Sequence, residues 1–397
     1  MGLMTIPIFF MRILGIWPVE LMQQGLQRCC YRIYSVITLS FFAVFLVLLF
    51  IGCINLVGSP LVSPERINSS VAVILAATLA AIKIVIYCKY RLPYVGYSVF
   101  EQEQKLVLDD AEGEKLYKKI NKYAQYIYFA LMSGAGASAA FYIIGAFVSL
   151  NELGYNNWNL DDKAFMFELY LPFEKNSHLI GIVICNLFAA FLIYVSRISG
   201  NLMYYSLVLF GKFQLQLLQL RVRKFDEQVR KSDGDIKLVT VELVKDHQET
   251  IRFIKNLNDY SKYPLLLEFL LNSFNLATIL FQISTSIFVV SYIDICFSFV
   301  FLCFICLEIY ALAWTANEIK LQSLSIGDAI CDGPWYEHEE RIKKLLVFII
   351  LRTQKPLRLT LGPFSPLTMD TIIWMLKASY SYFALMKRTY DRNKQLH

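Results

Sequence analysis

Charge is scarce in this chain. Asp, Glu, Lys and Arg supply 18% of its 397 residues, where soluble domains carry about a quarter. Hydrophobic residues supply 56%, and the mean hydropathy is +0.48. That balance excludes a disordered chain and an ordinary soluble enzyme. Histidine is scarcer still, with four copies at 178, 247, 338 and 397, none spaced as a helical metal pair. No nucleophile motif and no phosphate-binding glycine loop accompanies them, so no catalytic site, metal or cofactor is expected. Nine cysteines are present, yet Cys53, Cys88, Cys185, Cys296, Cys303 and Cys306 fall in apolar runs and Cys29, Cys30 and Cys331 in basic segments, so a reduced protein is expected. The Cys303 to Cys306 spacing reads as small packing residues. Residues 1–20 lack the small-residue cleavage site of a signal peptide. Ile6 stands where a myristoylation signal needs Ser or Thr.

What the chain has in abundance is uncharged length. Ile33 to Pro64, Tyr123 to Asn151, Asn176 to Ser196 and Phe269 to Ile293 each exceed the ~20 residues that cross a bilayer as a helix. Ser70 to Cys88 is apolar apart from Lys83, which is expected to snorkel to the interface. Ile295 to Ala316 is interrupted by Glu308, and Leu367 to Met386 by Asp370 and Lys377, so these two spans are expected to face protein or water. The fold class is therefore all-α membrane protein with seven spans. No alternation of period two supports a barrel.

Basic residues orient the spans. Arg12, Arg28 and Arg32, the loop from Lys89 to Lys122, the long loop from Arg197 to Lys262 and the loop from Lys320 to Arg358 fall on one side, which is expected to be cytoplasmic. The N-terminus is then inside and the C-terminus outside. Asn68 opens a glycosylation sequon on the outer side. Prolines at 356, 363 and 366 divide the seventh segment. The expected organisation is an N-terminal segment at 1–32, four spans at 33–210, a cytoplasmic helical extension at 211–262, two spans at 263–316, a cytoplasmic anchor at 317–366, the last span at 367–386 and an extracellular tail at 387–397. An external N-terminus and the Asp-Arg-Tyr signature of rhodopsin-like receptors are both missing, and no internal repeat points to a transporter.

The C-terminal third carries an ordered set of motifs. They are Trp314-Thr315-Ala316-Asn317-Glu318, Gly327-Asp328-Ala329, Gly333-Pro334-Trp335-Tyr336, Arg352-Thr353-Gln354-Lys355-Pro356 and Lys377-Ala378-Ser379-Tyr380-Ser381-Tyr382-Phe383. In order and spacing the set resembles the insect odorant receptor family. The family's co-receptor carries a long insertion in its second cytoplasmic loop, for which Arg221 to Lys245 leaves no room, so the chain is similar to an odour-tuning subunit.

The resemblance implies a ligand-gated, non-selective cation channel: a heterotetramer with co-receptor subunits around a central pore, in the plasma membrane of a sensory dendrite. The expected partners are those subunits, a small volatile, permeant cations and membrane lipid, with no nucleic acid. It places Leu385 at a hydrophobic gate, with Ser381 on the pore face and Arg388 and Thr389 at the exit. Trp314, Asn317, Glu318, Trp335, Tyr336, Lys355, Pro356 and Tyr380 fall in its assembly regions. Its ligand pocket lies in the outer half of the second, third, fourth and sixth helices, where the residues available are Ile74, Thr78, Ser138, Phe141, Tyr142, Ile182, Asn186 and Phe299. A gustatory-type channel shares much of this pattern, and a transporter is the remaining alternative.

Overall fold

The computed structural model describes residues 2–21, 25–58, 64–90, 92–106, 111–152, 169–170, 179–231, 235–289 and 292–396. The short α1 (Thr5–Leu14) is followed by α2 (Leu26–Val57), α3 (Pro64–Lys89), α4 (Leu92–Leu106), α5 (Ala111–Glu152), α6 (Leu179–Arg223) and α7 (Phe225–Lys231). Then come α8 (Ile236–Val289), α9 (Tyr292–Cys331), α10 (Glu340–Thr353), a hairpin of β1 (Thr360–Leu361) and β2 (Ser365–Pro366), and α11 (Met369–Leu396). Among the described residues, six helices are long and apolar enough to cross a bilayer: α2, α3, α5, α6, α8 and α9. The expected seventh span corresponds to α11, whose 28 residues would reach about 42 Å. Its length suffices, but its composition is too polar for it to join the other six.

The long helices run well past the apolar stretches that identified them. α6 has 45 residues and α8 has 54, or about 68 and 81 Å at 1.5 Å per residue, against a hydrocarbon core of about 30 Å. Residues 211–223 of α6 and 236–262 of α8 are the polar ends of these helices, in the region where a helical extension was expected. α6 is the hub. From Val195 to Gly211 every residue is buried, a helix enclosed on all sides by α1, α3, α5, α8 and α9. Gly200 allows the close approach of α3, since a Cβ there would stand 2.7 Å from the Tyr87 hydroxyl.

The seventh segment is divided, as its prolines require. α10 ends at Thr353, and the hairpin carries the chain back along α8, with Gly362 N–H donating to the Lys262 carbonyl at 2.8 Å. α11 then starts at Met369 and continues unbroken through 387–396, where a separate tail was expected. On α11, Met375 and Ser379 are fully buried, and the Tyr382 ring stacks on Phe274 of α8 at 4.7 Å.

The first twenty residues were expected to lie outside the bundle, in a cytoplasmic N-terminal segment. The structure places α1 inside the bundle, with Leu3, Met4 and Met11 fully buried. The Leu3 carbonyl accepts from Tyr128 at 3.2 Å and from Ser206 at 3.3 Å, and the Leu3 N–H donates to the Tyr117 hydroxyl at 3.2 Å. Tyr117 in turn donates to Glu103 on α4 at 3.1 Å. Burial pushes the Glu103 carboxyl up to about 7, partly offset by that hydroxyl and by the N–H groups of Met4 and Leu3. The unfolded chain releases this proton near 4.5, so between about 4.5 and 7 the folded state holds more proton than the unfolded one and its stability falls as pH rises. Thermal unfolding in detergent should show this. The melting temperature of Glu103→Gln relative to the parent should rise from pH 5 to pH 7.5, and an unchanged difference would remove Glu103 from the linkage.

Candidate functional site

Four charged side chains meet inside the membrane-spanning bundle, one from each of α3, α6, α8 and α9. Lys83 of α3 reaches Glu268 of α8 at 2.7 Å and Glu308 of α9 at 3.6 Å. Arg197 of α6 donates to the other Glu308 oxygen at 2.6 Å and to Asn272 at 3.4 Å. Asn201 accepts from Lys83 and donates to Glu308, both at 2.5 Å, while Tyr205 donates to the Glu308 carbonyl at 2.8 Å. Two cations and two carboxylates sum to zero. The guanidinium also lies over Phe304 and Phe301 at 5.2 and 5.8 Å, a further source of cation stabilisation where water is excluded. Lys83 is 7% exposed and does not snorkel as expected, because Glu268 and Asn201 satisfy it in place. Glu308, expected to face protein or water, faces protein.

A cavity of about 40 Å³ adjoins the network, lined by Lys83, Asn201, Tyr204, Ser261, Pro264 and Glu268. It has room for water and polar groups to hold it. Pro264 sits inside α8 and leaves the Tyr260 carbonyl without its helical donor, one more acceptor at this wall.

Beyond the network, toward the end of the bundle where residues 153–178 connect α5 to α6, lie polar groups with no hydrogen-bond partner. Asn186 and Asn275 are fully buried with both amide atoms unpaired, and Ser298 is fully buried with a free hydroxyl. Asn186 precedes Arg197 by three helical turns, and Ser298 precedes Glu308 by nearly as many. At 1.5 Å per residue both stand about 15 Å from the Arg197–Glu308 bridge, at one level of the bundle.

The residues singled out from sequence divide. Asn186, Ile182 and Ile74 are buried, and the Thr78 hydroxyl is buried without a partner. Ile74 packs with Phe45, Leu49 and Ala189. Ser138 is satisfied within its own helix by the Gly134 carbonyl at 2.8 Å, and Phe141 is half-buried. The Tyr142 side chain lies outside the described residues, as does His178. Phe299 is 60% exposed on α9 and turns away from the interior, because Ser298, Phe301 and Glu308 hold the inward stripe of that helix. Asn68 is a second correction: its Nδ2 is buried and donates to the Thr278 carbonyl at 3.0 Å, which leaves no room for a glycan.

Assembly residues divide as well. Glu318 pairs with Lys212 at 2.8 Å, and the Lys212 ammonium lies over Trp314 at 5.2 Å, so these motifs bind α6 to α9 within one subunit. Trp335 is half-buried beside Val222 and Leu346, and Asn317 and Pro356 are half-buried. Tyr336, Lys355 and Tyr380 are exposed. On α11, Trp374, Lys377, Ser381, Leu385 and Arg388 recur at helical spacing on one exposed face, opposite the face packed on α8. Thr389 is exposed and donates to the Leu385 carbonyl at 3.0 Å.

Arg197 and Glu268 were not expected as partners. Both stood at the limits of uncharged runs and were read as span ends, although the helices continue through them. All nine cysteines are free thiols, and no group of metal-ligating side chains occurs among the described residues.

These features define a multi-pass helical membrane protein whose interior is polar at two levels. The 7tm odorant receptor family matches residues 96–380, most of the chain, and the chain belongs to that family, one of receptors and not enzymes. Odorant receptor 10 of Aedes albopictus is similar at 33% identity over 187 residues, 47% of this chain and 49% of its own. Odorant receptor Or2 of Anopheles gambiae is similar at 35% over 150 residues, 38% and 39% of the two chains. The matched region thus spans about half the length of these curated relatives or less. The fold is that of the olfactory receptor OR5 from Machilis hrabei, solved in complex with eugenol, with a TM-score of 0.79 at 16% identity over 97% of each chain. A second structure of the same receptor gives 0.77 at 16% identity over 96% of each chain.

The ion network yields a prediction about stability. Arg197→Met alone strands Glu308 beside a single cation and should cost about 3–5 kcal/mol, while the charge-balanced Arg197→Met/Glu308→Leu pair should recover much of it. Thermal melts of detergent-solubilised protein would measure both, and equal losses from the single and paired changes would contradict the coupling.

Proposed function

We propose that this chain is the odour-binding subunit of a ligand-gated, non-selective cation channel, assembled with co-receptor subunits into a tetramer of the plasma membrane, N-terminus inside and C-terminus outside. The observation that carries the reading is the unpartnered face of α11. One stripe of the helix packs on α8, while Trp374, Lys377, Ser381, Leu385 and Arg388 face away from the subunit. Four such helices around an axis would line a pore with an aromatic ring at Trp374 and an aliphatic ring at Leu385, the latter nearer the exit. An apolar ring closes a pore by dewetting. Arg388, one turn further on, flanks the exit.

The ligand reading rests on buried polar groups. An unpaired buried amide costs about 1–3 kcal/mol, and Asn186 offers both a donor and an acceptor to whatever occupies the interior beside it. Apolar walls with a few polar groups suit a small volatile bearing one hydroxyl, carbonyl or ring N–H, held by shape and burial and oriented by Asn186 or Ser298. The network beneath joins α3, α6, α8 and α9, so a ligand that shifts those helices biases the closed-to-open equilibrium of the helix packed on α8.

Whole-cell recording tests this. Cells expressing the chain with an insect odorant co-receptor should give cation current to members of a volatile panel, and cells lacking either partner should not. Current through the chain alone, or none in co-expressing cells with verified surface protein, would refute the subunit assignment. Leu385→Ser should raise resting current. Asn186→Leu should weaken hydrogen-bonding odorants about tenfold in the half-maximal concentration, the effect of one buried hydrogen bond of about 1.4 kcal/mol, and leave apolar analogues nearly unchanged.

A further inference from the structure

A broad cleft lies at the opposite end of the bundle from Asn186. It measures about 550 Å³ and lies between α8 and the connection from α10 to the β-hairpin, lined by Lys255, Asn258, Asp259, Arg352, Lys355 and Arg358 among others. Four of its side chains are cations and one is an acid. The acid is already engaged, with Asp259 paired to Lys262 at 2.8 Å. Lys255, Arg352, Lys355 and Arg358 form no ion pair with any described residue. Such a cluster repels itself. Its geometry is nevertheless held: Arg352 donates to the Lys355 carbonyl at 2.9 Å, Leu357 N–H to Ser323 at 3.0 Å, and Thr360 N–H to the Asn258 side chain at 2.7 Å. The backbone fastens two segments so that four unneutralised charges face one concavity.

The position of the cleft indicates what neutralises them. Lys255 is one to two turns along α8 from Tyr260 and Tyr263, both exposed at 36% and 54%, with Tyr90, just past the end of α3, beside Tyr260 at 6.0 Å. Exposed tyrosines where a helix passes from polar to apolar sequence, as α8 does here, mark the membrane interface. The cleft is therefore within about 10 Å of headgroup level, measured along the helix, on the side that the orientation proposed above makes cytoplasmic. Basic pockets between membrane helices on that side suit phosphorylated lipid headgroups, and paired arginines and lysines on one wall suit two phosphates better than one.

We propose that this cleft binds a polyphosphorylated anion, the headgroup chemistry of an inner-leaflet phosphoinositide, with Lys255, Arg352, Lys355 and Arg358 contacting the phosphates. Binding would tie α8 to the connection that leads into α11, and so act on the element proposed to line the pore. The site itself needs only the cleft; its membrane source rests on the proposed orientation, which the soluble probe below does not require.

The test uses the full chain in detergent, with dioctanoyl phosphatidylinositol bisphosphate as lipid probe, inositol trisphosphate as free-headgroup probe and dioctanoyl phosphatidylserine as a singly charged control. The bisphosphate lipid should bind and the serine lipid should bind at least tenfold more weakly. Lys255→Gln/Arg358→Gln should weaken the bisphosphate at least tenfold, and each single change about threefold should the pair fail to fold. Arg341→Gln/Lys344→Gln, the same charge removed from the exposed face of α10, should have little effect. Inositol trisphosphate binding as tightly as the lipid would assign the site to a soluble phosphate; lipid binding alone would assign it to the membrane. No binding of either probe, equal binding of phosphatidylserine, or equal loss in both double variants would overturn the proposal. None of these readouts depends on odour response or channel current, so failure here and failure of the receptor reading are separable.

Discussion

Two carboxylates and two cations enclosed in hydrocarbon constrain everything around them. Lys83, Arg197, Glu268 and Glu308 come from four helices, and an ionised group stranded at that depth costs several kcal/mol in even the mildest accounting. The network cannot be opened cheaply by sliding one helix, because each helix carries charge that only the others satisfy. The packing reflects this. Gly200 keeps the α6 backbone close to α3, Tyr205 secures the Glu308 backbone, and the aromatic rings of α9 cover the guanidinium. Apolar side chains fill the bundle without dictating a register, since one leucine contact is much like the next in lipid. The charges specify it.

This division of labour separates the two halves of the molecule. On one side of the network the interior is aliphatic and aromatic with isolated unpaired polar groups, Asn186 and Ser298 at one level and Asn275 nearer the charges. On the other the helices continue as polar, paired extensions held by contacts such as Lys212 to Glu318. A bundle fixed at its middle can change shape at one end and transmit the change to the other through helices that are continuous across both. α11, docked on α8 by Tyr382 and by Tyr390 against Phe281, is placed to receive that change.

The fold was largely legible because lipid demands long uncharged runs, and such runs are visible without any tertiary information. The split of the seventh segment was legible from Pro356, Pro363 and Pro366 for the same local reason. The interior was less so. An uncharged run ends at Arg197 and resumes after Glu268, but a charge that ends the run does not end the helix when its partner arrives from more than a hundred residues away, as Glu308 does for Arg197. Phe299 and Ser298 are neighbours in sequence, and composition alone favoured the aromatic; helical phase puts the serine inside and the phenylalanine out. Asn68 shows the same limit, because a sequon records residue types and not whether the amide is already bonded. The burial of α1 had a readable trace in the run from Thr5 to Leu14, too short to span and more apolar than a solvated arm requires.

The position of α1 also bears on how the molecule is built. Leu3 and Ser206 touch although 203 residues separate them, and α6 is the helix against which most of α1 is buried. The segment holding Leu3 must therefore wait, exposed, until four membrane-length helices have been synthesised and gathered. At about 5–20 residues per second that interval is roughly 10–40 s, during which an apolar helix of ten residues is free to engage lipid or a chaperone. Docking of α1 therefore waits on α6, and joins residues made near the start of this sequence to a helix made about halfway along it.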